Sequence, residues 1–341
     1  MNPETFELEN YTSGEPFPEI DPEDPLAAAK VIWNYTVAEP HGDQFYCPFT
    51  FNLVDGDSGI ERIQQWVFTR YYMYGRVTGG PEVIGDGSIY HKGLLFATYP
   101  QDVKGLGTFA IRYWDPKFDD IWAYVRTVRR VRRLSGGAWM DPIGGTDHLN
   151  DDLETFNAHP AWYKSYKLLG KQKVFVVSRS QFPVWESNPS RRWSWFPDES
   201  TVEQQFPRMD LENAPYWNPK DVYEAREVYV VESIPPEYHS YSKRINWFDA
   251  TSWRPYYSAG YDRKGEFWKW IHFASGWWEE LSGYVNPNTG QSVKYNFTQW
   301  GVNIDFQRRH ATFFNIAACS MNDPNLSEDD FTLAELEAAG R

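Results

Sequence analysis

Aliphatic side chains, long apolar runs and cysteine are all scarce in this 341-residue chain. No stretch of about 18 apolar residues occurs, which excludes a membrane-spanning helix. Hydrophobic residues make up 41% of the chain, but Phe, Tyr and Trp alone supply 18%. A core must therefore be assembled largely from rings, which favour strands. Basic charge is short as well. A formal net charge of −14 has the wrong sign for a nucleic-acid partner, whose phosphates reward a basic footprint. It also opposes adhesion to an anionic membrane face except through a local patch. The two cysteines, Cys47 and Cys319, stand near opposite ends of the chain, with no CxxC or Cys/His spacing suited to zinc. They could form one disulfide or be two buried thiols. The opening MNPETFELENYTSGEPFPEI lacks the basic and apolar regions of a signal peptide, which fits a cytosolic protein or one whose leader has been removed.

Catalytic patterns are missing too. There is no G-x-S-x-G elbow, and VTGG at Val77 to Gly80 is a turn and not a phosphate loop. His41, His91, His159, His239, His272 and His310 are scattered along the chain. Nothing calls for a metal or a cofactor, and the chain reads as a non-enzyme.

What is present is a succession of strands. Residues 1–24 read as an extended Pro- and Glu-rich arm. Asp24 and Pro25 then open a helix, LAAAKVIWNYTV. From about Phe45 the hydrophobic period becomes two. Strands are expected within Gly59–Val77, with Trp66, Phe68 and Tyr72 on one parity, and at Ile89–Tyr99, Leu106–Trp114, Asp119–Thr127 and Val128–Leu134. A short helix is expected within Asp151–Leu169 and a strand at Val174–Ser180. Residues 181–219, rich in Pro, Trp and Asn, form an aromatic insertion of a length that loops seldom reach without a reason. The meander resumes at Glu227–Ile234, Lys243–Phe248, Trp253–Ser258 and Glu266–Phe273, then near Val293–Thr298 and Ala311–Ile316. A capping box from Thr332 to Glu335 starts a short helix in the tail. The organisation is one domain over 25–320, with tail 321–341.

The densest chemistry lies between Asp119 and Asp152. Arg126, Arg129, Arg130, Arg132 and Arg133 fall within eight residues and are followed by Asp147, His148, Asp151, Asp152 and Glu154. On a strand, Arg126, Arg130 and Arg132 share one face, and Arg129 and Arg133 the other. Three readings are open for the arginines: a solvated edge strand guarded by charge, an ion-pair match with Asp147, Asp151 and Asp152, or contact with phosphate or lipid headgroups. The acidic cluster lacks the D-x-D-x-D-G pattern of a calcium loop, though Asp151 and Asp152 could serve as a glycosidase acid and base. Phe109, Ile111 and Tyr113 line one strand face, and Trp122 and Tyr124 another; each is either plain core or the wall of an apolar cavity.

The segments WDPKFDDIWAYVRTVRRVRRLS, GGTDHLNDDL, SKRINWFDATSW, YDRKGEFWK, HATFFNIAA and DPNLSEDDFTLAELEA resemble a proteobacterial branch of the LolA/LolB-like superfamily. These are periplasmic proteins related to the carriers that sort outer-membrane lipoproteins. The entry GEPFPEIDPEDPLAAAKVIWN resembles the same branch, so the likeness runs from about Tyr11 to the C-terminus. It implies a mainly β fold, an incomplete, half-open antiparallel β-barrel whose concave side is closed by helices or loops around an apolar cavity. It also implies a periplasmic carrier of a lipid, acyl chain or other hydrophobe, with an inner-membrane exporter or outer-membrane protein as a partner and no catalytic residues to carry over. Trp66, Phe68, Phe109, Ile111, Trp122 and Tyr124 are then the expected lining. The competing expectation is a carbohydrate-active β protein that stacks sugars on Trp193, Trp195, Trp277 and Trp278.

Overall fold

In a computed structural model, residues 1–38, 43–77, 80–125, 129–181, 185–186, 209–279, 294–316, 318–323 and 325–340 are described. After helix α1 (Ala27–Ala38) the chain lays down β1 (Gln44–Asp55), β2 (Gly59–Tyr72), β3 (Ile89–Tyr99), β4 (Gly107–Tyr113), β5 (Asp120–Val125) and β6 (Arg130–Arg133). A covering segment, residues 135–163, then carries three short 3-10 turns. It leads into β7 (Ser165–Val176) and the two-residue β8 (Trp185–Glu186). The remaining strands are β9 (Glu224–Ile234), β10 (Lys243–Asp249), β11 (Pro255–Tyr261), β12 (Phe267–Glu279), β13 (Lys294–Asp305), β14 (His310–Ile316) and β15 (Ala318–Met321), before helix α2 (Leu333–Gly340).

The main path of the sheet runs β6-β5-β4-β3-β2-β1-β14-β13-β12-β11-β10-β9-β7. Its two end strands do not pair with each other, so the sheet forms the half-open barrel that the sequence suggests. Each hairpin follows from the period-two pattern, and β1 joins the two arms by pairing with both β2 and β14. Because β1 is buried on both faces for most of its length, its apolar residues run almost continuously and do not alternate.

Both open ends are guarded by charge. β6 exposes Arg130, Arg132 and Arg133, and β7 exposes Lys167, Lys171 and Lys173, which blunts edge-to-edge pairing. This polar alternation also explains why β7 begins nine residues before the strand expected at Val174: an edge strand need bury little.

Two faces of the sheet are covered differently. On the inner face, α1 and the covering segment pack Val31, Ile32, Trp139, Phe156 and Trp162 against Tyr229, Val231 and Phe248. The Asp24 Oδ1 caps α1 by accepting from the Leu26 N–H at 2.7 Å. On the outer face, α2 inserts the fully buried Leu336 among Leu94, Phe96, Phe109 and Tyr124. Farther along that face, Met209 and Trp217, from the end of the aromatic insertion, cover Val302 and Phe313.

Candidate functional site

The register of the strands sorts the inner face into two kinds of row. Phe273, Gly301, Phe314 and Phe51 stand opposite one another across β12, β13, β14 and β1. Two residues along, toward one rim, the pairing reaches Asn303 and Thr312. A further two residues bring Lys269, Asp305 and His310 together, with Arg244 on the same line through Gly260. The interior is thus apolar toward one rim and ionic toward the other.

The apolar part encloses a cavity of about 40 Å3. Its wall comes from Phe49 and Phe51 of β1, Phe68 of β2, Phe273 of β12, Phe297 of β13, and Phe314 and Ile316 of β14; His148, Leu153 and Glu154 of the covering segment close it. The rings meet edge to face, Phe49 with Phe51 at 4.8 Å and Phe273 with Phe314 at 4.8 Å, the geometry aromatic pairs prefer. Gly301 makes room for them, since a Cβ there would lie 2.4 Å from Phe314 and 2.5 Å from Phe273. Cys47 borders the cavity and is joined to Cys319 by a disulfide that ties β1 to β15.

Of the residues expected to line such a cavity, Phe68 does so, and Trp66 lies in the same cluster, 5.7 Å from Phe51. The structure places the other four elsewhere. Phe109, Ile111, Trp122 and Tyr124 belong to the outer-face cluster under α2. Phe109 pairs with Leu94 and Trp122, whereas Phe68 pairs with Leu95, one residue out of phase and hence on the opposite face.

The ionic part is built on the acidic run of the covering segment, which is an interior plug. Asp147, Asp151 and Asp152 are 2%, 0% and 0% exposed. Arg244, itself fully buried, donates to the Asp151 carboxylate at 3.2 Å and also pairs with Asp152. Tyr163 donates to Asp151 at 2.7 Å, and Tyr241 and Asn303 donate to Asp152 at 3.0 Å. Burial pushes the Asp151 carboxyl up, but Arg244, His239 and Tyr163 more than offset it and hold it below the usual carboxylate range. Asp147 accepts from His310 at 2.6 Å and from Thr312 at 2.8 Å. The hydrogen bond to Asp147 in turn raises the His310 imidazole.

The expected match between the arginine run and these aspartates is therefore corrected. The carboxylates face cations from β10, β12 and β14, while the arginines sit on the far edge of the sheet. Arg133 pairs with Asp120, Arg129, Arg130 and Arg132 are exposed, and Arg126 lies outside the described residues. A glycosidase role for Asp151 and Asp152 meets the same obstacle: both are sealed from solvent and share one guanidinium, leaving no gap for a glycosidic bond. Trp193, Trp195 and the side chains of Trp277 and Trp278 lie outside the described residues. Among the described residues no group of His, Cys, Asp and Glu is arranged to hold a metal ion, and no helix is long and apolar enough to cross a membrane.

A second, wider cavity of about 660 Å3 lies on the outer face. Trp217, Pro215 and Asn218 form one wall, and Trp270, His272 and Val302 part of the other, with Arg309 at its border. Periodicity could not reveal it, because 214–219 reaches the sheet from an irregular segment.

Three solved structures share this architecture. A domain from Vibrio parahaemolyticus described as a putative outer membrane lipoprotein-sorting protein superposes with a TM-score of 0.58 at 18% identity, over 93% of this chain and 100% of that one. A DUF1329 family protein from Desulfovibrio piger gives 0.51 at 16% identity, covering 86% and 92%. A LolA superfamily protein from Nitrosomonas europaea gives 0.50 at 12% identity, covering 90% and 98%. At these identities the likeness is one of fold. No curated protein matches the chain, while the family model described as "Protein of unknown function (DUF1329)" matches residues 1–337.

Proposed function

Since the chain belongs to the DUF1329 family and has the half-open barrel of LolA-like proteins, we propose that it is a carrier that binds a lipid, acyl chain or similar hydrophobe in the inner cavity. The observation that carries this reading is the phenyl-lined cavity between the sheet and the covering segment. Exposing an acyl chain to water costs about 0.8 kcal/mol per CH2, so a hydrophobe crossing an aqueous compartment needs an enclosed apolar wall. At about 40 Å3 the cavity is far below the roughly 300–1,000 Å3 of ordinary ligand pockets. Loading therefore requires Leu153 and its segment to move away from the sheet.

Glu154 and Thr155 adjoin that residue with φ of 55° and 70°, a left-handed backbone that non-glycine residues seldom adopt. The Cys47–Cys319 disulfide supports an oxidising compartment, and the LolA-like fold favours the periplasm. Exchange with an inner-membrane exporter or an outer-membrane protein belongs to the same proposal. Native mass spectrometry of the protein incubated with a bacterial lipid extract should show a bound lipophile; a protein that stays empty would remove the reading.

The outer cavity supports a second reading, a carbohydrate site. Trp217 and Trp270 could stack on a sugar ring while Asn218, His272 and Arg309 hydrogen-bond its hydroxyls. Binding on a glycan panel, lost in Trp270→Ala, would favour it; silence on the panel would dismiss it.

A further inference from the structure

His148 is the odd residue in the phenyl-lined wall. It is 1% exposed, its ring centroid lies 5.5 Å from that of Phe51 and 5.8 Å from that of Phe314, and it borders the cavity. Its main chain is fixed by a 3.3 Å hydrogen bond from its N–H to the Thr146 hydroxyl. Among the described residues neither ring nitrogen has a hydrogen-bond partner. The Thr312 main chain lies near the ring without meeting hydrogen-bond geometry. Burial holds the imidazole down to about 4, although Asp152 nearby pulls it up, so the ring is neutral at pH 7. A neutral imidazole offers one N–H donor and one acceptor, and leaving them unmade in an apolar enclosure is costly.

We infer that the inner cavity is selective for a hydrophobe bearing a hydroxyl or carbonyl group along its apolar body, which hydrogen-bonds to His148. This deepens the carrier reading and rests on it. A plain saturated chain fills the wall with carbon and leaves the imidazole unpartnered. A chain hydroxyl can donate to the unprotonated ring nitrogen or accept from the ring N–H, and a chain carbonyl can accept from that N–H. Glu154, the other ionisable group on the wall, is turned to Arg70 at 3.5 Å, and the Thr298 hydroxyl, also on the wall, accepts from Arg254, so the imidazole is the wall's unpartnered polar side chain.

The test compares binding of stearic acid with its monohydroxylated forms, with the hydroxyl at mid-chain or near the methyl end, to the full chain and to His148→Phe. One recovered hydrogen bond should favour the best-placed hydroxyl form by about three- to tenfold over stearic acid. That preference, read as the ratio of hydroxylated to plain stearic acid affinity, should vanish in His148→Phe; His148→Leu serves if the Phe variant misfolds. Equal or weaker binding of every hydroxylated form by the native protein, or a preference that survives both substitutions, overturns the inference and leaves the carrier reading standing. Failure of every acid to bind overturns the carrier reading and this inference with it.

Discussion

The two halves of the interior lie on the same face of the same strands, two to four residues apart, yet they are held by opposite physics. The apolar half is held by non-directional burial: phenyl rings from five strands share a small cavity. The ionic half is over-determined: Asp151 and Asp152 share Arg244 and are further fixed by Tyr163, Tyr241 and Asn303. The covering segment touches both, with Asp151 and Asp152 locked and Leu153 facing the cavity. Leu153 thus lies between the locked aspartates and Glu154, which pairs with Arg70, and on the carrier reading it is this short apolar stretch that must give way on loading.

Breaking the anchored half should have the largest effect. Arg244→Met leaves two buried carboxylates without their shared cation and should cost about 3–5 kcal/mol in urea unfolding. If Arg244→Met is neutral, the anchor is misplaced. The double variant Cys47→Ser, Cys319→Ser should lose about 2–5 kcal/mol, and reductant should destabilise the native protein but not the variant.

Acid should weaken the fold before it protonates the aspartates. Burial holds His148 down to about 4, and His159 and His272 to about 3, against an ordinary 6.5. Below about 6.5 the unfolded chain takes up protons that the fold refuses, so stability falls with pH. His310 is raised and works the other way: its contribution is full below 6.5 and is lost as pH rises through its folded value. Denaturation midpoints across pH 4–8 should therefore decline toward acid, and a profile flat down to pH 4 would contradict this.

On the packed side, Ile316→Val should cost only about 0.5–1.5 kcal/mol in the same unfolding assay. Arg132→Ala, on the exposed edge, should change stability by no more than about 0.5 kcal/mol. A larger loss there would restore an internal role for the arginine run.

The sequence was informative where one period decides the matter. Helix α1 begins where Asp24 and Pro25 place it, and β3 spans Ile89–Tyr99 as its alternation indicates. Alternation groups Phe109 with Ile111, but it cannot say which face of a sheet points inward. That depends on which side α1 and α2 cover, a long-range outcome, and so the ring residues of β4 and β5 fall under α2. The ionic site was legible only as an acidic run, because its chief cation, Arg244, is 92 residues from Asp152. His148 stood inside that run, and only its enclosure by Phe51 and Phe314 separates it from its acidic neighbours.

The claim that the inner cavity holds the hydrophobe is tested most directly through Trp66, buried beside Phe51. Titration with a brominated fatty acid, a contact quencher of indole fluorescence, should show saturable quenching. The quenched component should be largely lost in Trp66→Phe. No saturable quenching, or quenching unchanged by Trp66→Phe, would place the hydrophobe outside the inner cavity.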